Sequence, residues 1–289
     1  MPKTYNLIES ESLSERLNEP NLLIVDLCND ALYSRKHIPG AVHVSPKTLM
    51  AGSFPTHNML PSIEQISAII NSIGLTEEKH VIAYDDEGGG WAGRFLWTLD
   101  VIGHKNWSYL NGGLIAWHNE GHPTTADVPV IKTTHRDLVI DRSPIVDAEE
   151  IMRSLEGAQL QIWDARSEGE YTGITLYAEK GGHIPGAIHC EWTNMMDFQR
   201  NQRIRNDALT RLEDLGISQK KPTITHCQSH HRSGFTYMLG RILGFESIRA
   251  YDGSWAEWGN HPHTKHLPPN LHPQTQSKAR QTADRRPAK

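Results

Sequence analysis

The chain has 289 residues, 29 Lys and Arg against 34 Asp and Glu, and a mean hydropathy of −0.53. No run approaches the ~18 apolar residues of a membrane span. No basic-then-apolar leader opens the chain, and three cysteines (Cys28, Cys190, Cys227) cannot build a disulfide framework. These features set aside a membrane protein, a secreted disulfide scaffold and a wholly disordered chain, and lead us to expect a reduced, cytoplasmic setting. At about 150 residues per domain, two domains are expected.

The first predicted strand is Leu22-Leu23-Ile24-Val25-Asp26, followed by the pentapeptide His-Ile-Pro-Gly-Ala at 37–41. A helix is predicted after Pro61, where Ser62 can cap and Gln65 stands three residues on. The apolar run Val81–Tyr84 is a second strand, and the Gly-rich stretch 85–94 leads into helical periodicity that closes at Gly103. Gly112 and Trp117 end this first unit, assigned to residues 1–124, and a polar connector is assigned to 125–142. The same order then recurs over 143–260. Leu160–Asp164 is a strand, His-Ile-Pro-Gly-Ala returns at 183–187, and Thr223–His226 is a strand. From Ser233 onward Phe235, Met238, Leu239, Ile242 and Leu243 form one helical face, with Gly244 as a residue tolerant of positive φ at its end.

From Asn260 to the end the chain carries six basic residues against Asp284 alone, so the preceding body is strongly acidic. With four prolines before Ser277 and few apolar residues, 261–289 is expected to be a flexible basic tail. No aromatic residues interleave with its charge, and an acidic body disfavours nucleic acid as a partner.

The repeat is the strongest signal in the sequence. The two pentapeptides lie 146 residues apart, and the pairs Gly103/Gly244, Gly112/Gly253 and Trp117/Trp258 all lie 141 apart. Short apolar runs alternating with helical periodicity indicate an α/β fold: two tandem domains, each a mostly parallel sheet flanked by helices.

Chemistry is expected where the copies differ. The second strand–helix junction reads His226-Cys227-Gln228-Ser229-His230-His231-Arg232-Ser233, whereas the first places Asp85 opposite Cys227. The carboxyl end of a parallel strand before a helix N-terminus is where ligands bind in open α/β sheets. Loop N–H groups, the helix dipole and Arg232, with His230 and His231 as further cations, would favour a thiolate and make Cys227 a nucleophile. A small buried hydrophobe is the bland alternative for any free cysteine. It suits Cys28 and Cys190, which lack this polar setting. A zinc site is disfavoured: no Cys-x-x-Cys pair exists, and adjacent His-Cys and His-His are poorly spaced to converge on one ion.

These residues together (Asp, His-Ile-Pro-Gly-Ala, strand-Cys-loop-helix, Asp-Gly-Ser-Trp-x-x-Trp) resemble the rhodanese superfamily, specifically tandem-domain thiosulfate sulfurtransferases, over about residues 5–260. The loop is similar to a bacterial subgroup with Cys-Gln-Thr-His-His-Arg-Ser, with Ser229 in place of Thr. The resemblance implies a catalytic Cys227, a substrate-binding loop from Gln228 to Ser233, and an inert first domain with Asp85 at the equivalent position. It implies a sulfane sulfur moved from thiosulfate through a Cys227 persulfide to cyanide or thiols, with no cofactor. Small sulfur-containing anions are the expected partners, with a thiol or protein as acceptor. Cys227 to Arg232 is the family's six-residue sulfurtransferase loop; related phosphatases of the Cdc-twenty-five type have a longer Cys-x5-Arg loop. Glu170 stands where mercaptopyruvate sulfurtransferases have a second Arg, which weakens that assignment and leaves the donor to Arg232 and the histidines. Asp164 and Arg166 are expected to form a structural ion pair. A persulfide carrier serving a partner protein is the alternative, with the basic tail for docking. Trp91 and Arg94 are the first-domain candidates to face Cys227, and Trp192 is a candidate to lie near the loop, with core packing as its default.

Overall fold

The computed structural model describes residues 6–155, 157 and 160–267. Two parallel sheets carry the chain. The first comprises β1 (Asn6–Ile8), β2 (Leu22–Asp26), β3 (Val42–His43), β4 (His80–Tyr84) and β5 (Trp107–Leu110), in the order β1-β5-β4-β2-β3. The second comprises β6 (Gln161–Asp164), β7 (Ala187–His189), β10 (Thr223–His226) and β11 (Ile248–Ala250), in the order β11-β10-β6-β7. Between its strands, β8 (Met196–Asp197) and β9 (Arg203–Ile204) form a small antiparallel ladder. Apart from β1, the two main sheets superpose in order, and Ile145 pairs in parallel with Ala250 where β1 pairs with β5.

The first domain's helices are α1 (Ser10–Ser14), α2 (Asp30–Tyr33), α3 (Ile63–Ser72), α4 (Gly90–Val101) and α5 (Gly113–Asn119). The second has α6 (Ala148–Ser154), α7 (Glu168–Thr172), α8 (Ala208–Asp214), α9 (Arg232–Ile242) and α10 (Ser254–Trp258). Helix α3 starts with both halves of the capping box at Ser62 and Gln65, and α9 is followed by Gly244 at φ 81°. None of the described helices is long and apolar enough to cross a membrane.

The repeated pentapeptide proves to be a structural device in both copies. His37 and His183 stack on Tyr33 and Tyr171 at 4.0 and 3.8 Å, and each bonds that tyrosine's carbonyl through Nδ1, at 2.8 and 2.9 Å. The same tyrosines donate to the carbonyls of Ala41 and Ala187. Gly40 and Gly186 take φ near 80°, a turn open to glycine.

The domains meet along α4 and α9. A Cβ on Gly234 would lie 2.6 Å from the Arg94 backbone nitrogen, and one on Gly93 would strike the Gly234 carbonyl. Two glycines equivalent in the repeat therefore let the helices touch backbone to backbone. Phe95, Trp97, Phe235, Met238 and Leu239 belong to one buried cluster that spans both domains. Tyr237 donates across the interface to buried Asp100 at 2.8 Å.

Between α5 and α6 the chain has no regular element and returns along the first domain, with Thr134 bonded to Asn71 and Asp141 to Val101. Residues 261–267, assigned to the tail from composition, are held in place. Leu267 bridges His183, and Thr264 is buried and bonds the Trp258 carbonyl. The rest of the expected basic tail, 268–289, lies outside the described residues.

Candidate active site

Strand β10 delivers Cys227 to the start of a short loop that closes at α9. Ser254 holds this loop from behind: its Oγ accepts from the N–H groups of Cys227 (3.3 Å) and His230 (3.2 Å) and donates to Tyr251 O (2.8 Å). The N–H groups of Trp255 and Ala256 bond the carbonyls of Cys227 and Gln228, both at 2.9 Å. His230 and Ser254 sit at φ 54° and 51°, a left-handed conformation costing non-glycine residues about 1–3 kcal/mol, so the surrounding bonds must impose it. Gly253 and Trp258 were legible as repeat markers. Ser254 stands in the Asp-Gly-Ser-Trp pattern, but its role does not show there, because it depends on a contact 27 residues away.

Cys227 is buried, with the Ser233 hydroxyl 3.4 Å from Sγ. Burial alone would raise its pKa. The charge of Arg232, the Ser233 hydroxyl and the backbone N–H groups of Ser233 and Ser229 outweigh it and hold the thiol below its ordinary range. The other two thiols move the opposite way: burial and then Asp26 push Cys28 far up, and burial pushes Cys190 up to about 12. Thiol labelling of the folded protein at neutral pH, mapped by peptide mass, is therefore expected at Cys227. Labelling of Cys28 or Cys190 at a comparable rate would contradict this ordering.

The cations of the loop differ from the sequence expectation. Arg232 is not free for a donor anion: it forms a two-pronged pair with Glu170, at 2.6 and 2.8 Å. Burial alone would raise the Glu170 carboxyl, but Arg232 and Ser167 hold it below its usual range. The carboxylate read as repelling the donor thus anchors the arginine beside Cys227. His230 is buried, bonds Ser233 Oγ through Nδ1 at 2.8 Å and meets the Trp97 ring edge-on. Burial, then Arg94 and His231, push its pKa well below the ordinary value, so the cation expected there is absent. His231 keeps partial exposure, reaches Glu87 of the first domain and lies against Trp91 and Trp192. Trp192, expected in the core, stands half-buried beside the loop.

Gln228 donates to the Tyr177 carbonyl at 3.2 Å, and Ser229 accepts through its carbonyl from Asn58 of the first domain at 2.8 Å. Asp164 and Arg166 form the expected buried pair at 2.6 Å, with the guanidinium stacked over Trp255. Among the described residues no group of three or more His, Cys, Asp or Glu is arranged to hold a metal ion.

The equivalent first-domain loop is filled from within. Asp85 accepts from the N–H groups of Gly89 (2.8 Å), Ala92 (3.0 Å) and Glu87 (3.1 Å), while burial and Glu87 push its pKa up to about 6. The loop amides that face the Cys227 sulfur in one copy are matched in the other by amides that the chain's own carboxylate occupies.

The rhodanese-like domain family matches the chain twice, over residues 9–120 and 147–261. A thiosulfate sulfurtransferase of Azotobacter vinelandii is 46% identical over 258 residues, 89% of this chain and 95% of that protein. The sulfur carrier protein TtuD of Thermus thermophilus is 29% identical over 269 residues, 88% of this chain and 93% of its own length. The crystal structure of YnjE is 19% identical and shares the fold with a TM-score of 0.81, covering 93% of this chain and 70% of that one.

Proposed function

The chain belongs to the rhodanese-like family as two tandem copies of its domain, and we propose that it is a thiosulfate sulfurtransferase acting through Cys227. The Cys227 thiolate attacks the outer sulfur of thiosulfate. A sulfur–sulfur bond forms, the bond to the sulfonate sulfur breaks with its electron pair, and sulfite leaves. The resulting persulfide carries one negative charge, as the thiolate did. Cyanide or a thiolate then attacks the terminal sulfur and releases thiocyanate or a new persulfide, restoring the Cys227 thiolate. This is covalent catalysis in two half-reactions. The N–H groups of Ser229 and Ser233, the Ser233 hydroxyl and Arg232 are the groups that stabilise the anion in each state.

The observation carrying this reading is the setting of Cys227, with the Ser233 hydroxyl 3.4 Å from its sulfur and Arg232 of its loop fixed by Glu170, while burial pushes the other two thiols up. Intact mass after thiosulfate treatment tests it. The wild-type chain should gain one sulfur atom and lose it on adding cyanide, while Cys227→Ala gains none. An equal gain on Cys227→Ala would overturn it.

The similarity to a sulfur carrier protein supports a second reading, in which the persulfide is handed to a protein acceptor. Removal of residues 268–289 separates the two: small-acceptor turnover should survive, and a carrier role that uses the basic tail should weaken.

A further inference from the structure

We propose that Arg94, contributed by the first domain, is a positioning residue for the reaction at Cys227: a buried countercharge that holds the sulfur of the second domain in its anionic forms. The inference rests on Cys227 being the reacting thiol. The Cys227 loop lies far from the first domain in sequence, yet α4 brings the Arg94 backbone against Gly234, the residue after Ser233 of that loop. The side chain is fully enclosed, 1% exposed, on the helix whose backbone touches Gly234 just behind the loop.

Its hydrogen bonding is incomplete. Nη2 donates to the Leu49 carbonyl at 3.1 Å, while Nε and Nη1 are buried without a partner. The Trp97 ring lies 4.8 Å from the Arg94 Cζ, and burying a guanidinium with two unpartnered nitrogens is costly unless a negative charge also stands near it. Two such charges are near. Burial pushes the Arg94 guanidinium down to about 10, against the opposing pull of Asp252 and of the Cys227 thiolate. The Coulomb attraction is mutual, so the same pairing favours the thiolate, beside the larger effect of Arg232.

The repeat sharpens the point. The residue equivalent to Arg94, 141 positions on, is Phe235. Phe235 packs against Gly89 in the Asp85 loop of the other domain, and the buried Arg94 guanidinium is close enough to Cys227 for their charges to interact. The loop with the sulfur therefore has a buried cation of the other domain near it, and the loop with the carboxylate receives a phenyl ring.

Other charged and titratable groups also surround Cys227. They are Arg232 with Glu170, His226 with Asp164, His230, Asp252, and His231 with Glu87. The test must therefore isolate one of them. The readout is the pH titration of the Cys227 thiolate by its ultraviolet absorbance, taken as the difference from the matching Cys227→Ala background. This requires neither donor nor acceptor, so it stands apart from any failure of sulfur transfer. Arg94→Gln can keep the bond to Leu49 but loses the charge; its midpoint should move upward, leaving several-fold less thiolate below it. Arg94→Lys should recover most of that change. A midpoint unchanged in Arg94→Gln, or equally displaced in both variants, would overturn the proposal and leave Arg94 a packing residue. Should Arg94→Gln not fold, Asp252→Asn serves in its place. Removing the carboxylate that shares Arg94 should move the midpoint downward, and an unchanged midpoint there also overturns the proposal.

Discussion

Arg232→Met is expected to lower kcat/KM for thiosulfate by about 10²–10³, the loss typical of deleting one preorganised anion-stabilising group. The variant removes the charge that does most to hold the Cys227 thiol below its ordinary range. It also leaves Glu170 buried without its two-pronged partner. Breaking a buried pair costs about 3–5 kcal/mol. A fifth of the Arg232 side chain remains exposed, so the lower end applies and a loss of about 3 kcal/mol is expected in denaturant unfolding. Glu170→Gln separates the two effects. Because the native Glu170 carboxyl is depressed, its contribution to stability is present above the ordinary carboxylate range and is lost as pH falls through the depressed value. Glu170→Gln should therefore flatten the acid limb of the stability curve, with a smaller loss of activity than Arg232→Met. Steady-state kinetics and urea midpoints across pH check both. Equal kinetic losses in the two variants would mean that Arg232 acts only through its fixed position, and not through its charge.

The sequence announces the duplication, the strand–loop–helix junction and the cysteine proposed as nucleophile because each is a local pattern. Periodicity places α9 within one residue, and the loop Cys227–Ser233 reads directly as a polar turn before a helix. What escaped is the part of the site made by contacts between distant segments. Glu170 looked like a departure that would repel an anion, because its partner stands 62 residues away and only folding shows that the carboxylate faces Arg232. His230 looked like a cation from composition, but its charge is decided by burial under Trp97 and Arg94, which belong to the other domain. Asn58 and Glu87 bear on the Cys227 loop from the first copy, and nothing in their own neighbourhood marks them, whereas Arg94 stood with Trp91 among the candidates to face Cys227. Asp85 was legible as an inert counterpart, but not that its two oxygens would occupy three backbone N–H groups.

Gly234→Ala is expected to destabilise the protein by about 1–3 kcal/mol and to cost more than tenfold in activity, although alanine is the better helix former. Intrinsic propensity alone would favour the change by about 1 kcal/mol. Against it, the new Cβ would meet the Arg94 nitrogen at 2.6 Å, its Cα at 2.9 Å and the Gly90 carbonyl at 3.0 Å. All three are backbone atoms of α4, so no side chain can rotate away, and the helices must separate. Separation moves Arg94 away from Gly234 and disturbs the contact of His231 with Glu87, and displacements of about 1 Å can cost 10²-fold in rate. Gly244→Ala is the contrasting variant. It imposes a left-handed conformation at φ 81° but meets no neighbouring atom, so it should cost about 1 kcal/mol and leave turnover of the folded protein intact. Urea midpoints followed by tryptophan fluorescence, with kcat/KM measured on the folded fraction, distinguish the two. If Gly234→Ala kept wild-type kinetics while folded, close approach of the domains would be a matter of stability alone, and the first domain would have no hand in the chemistry.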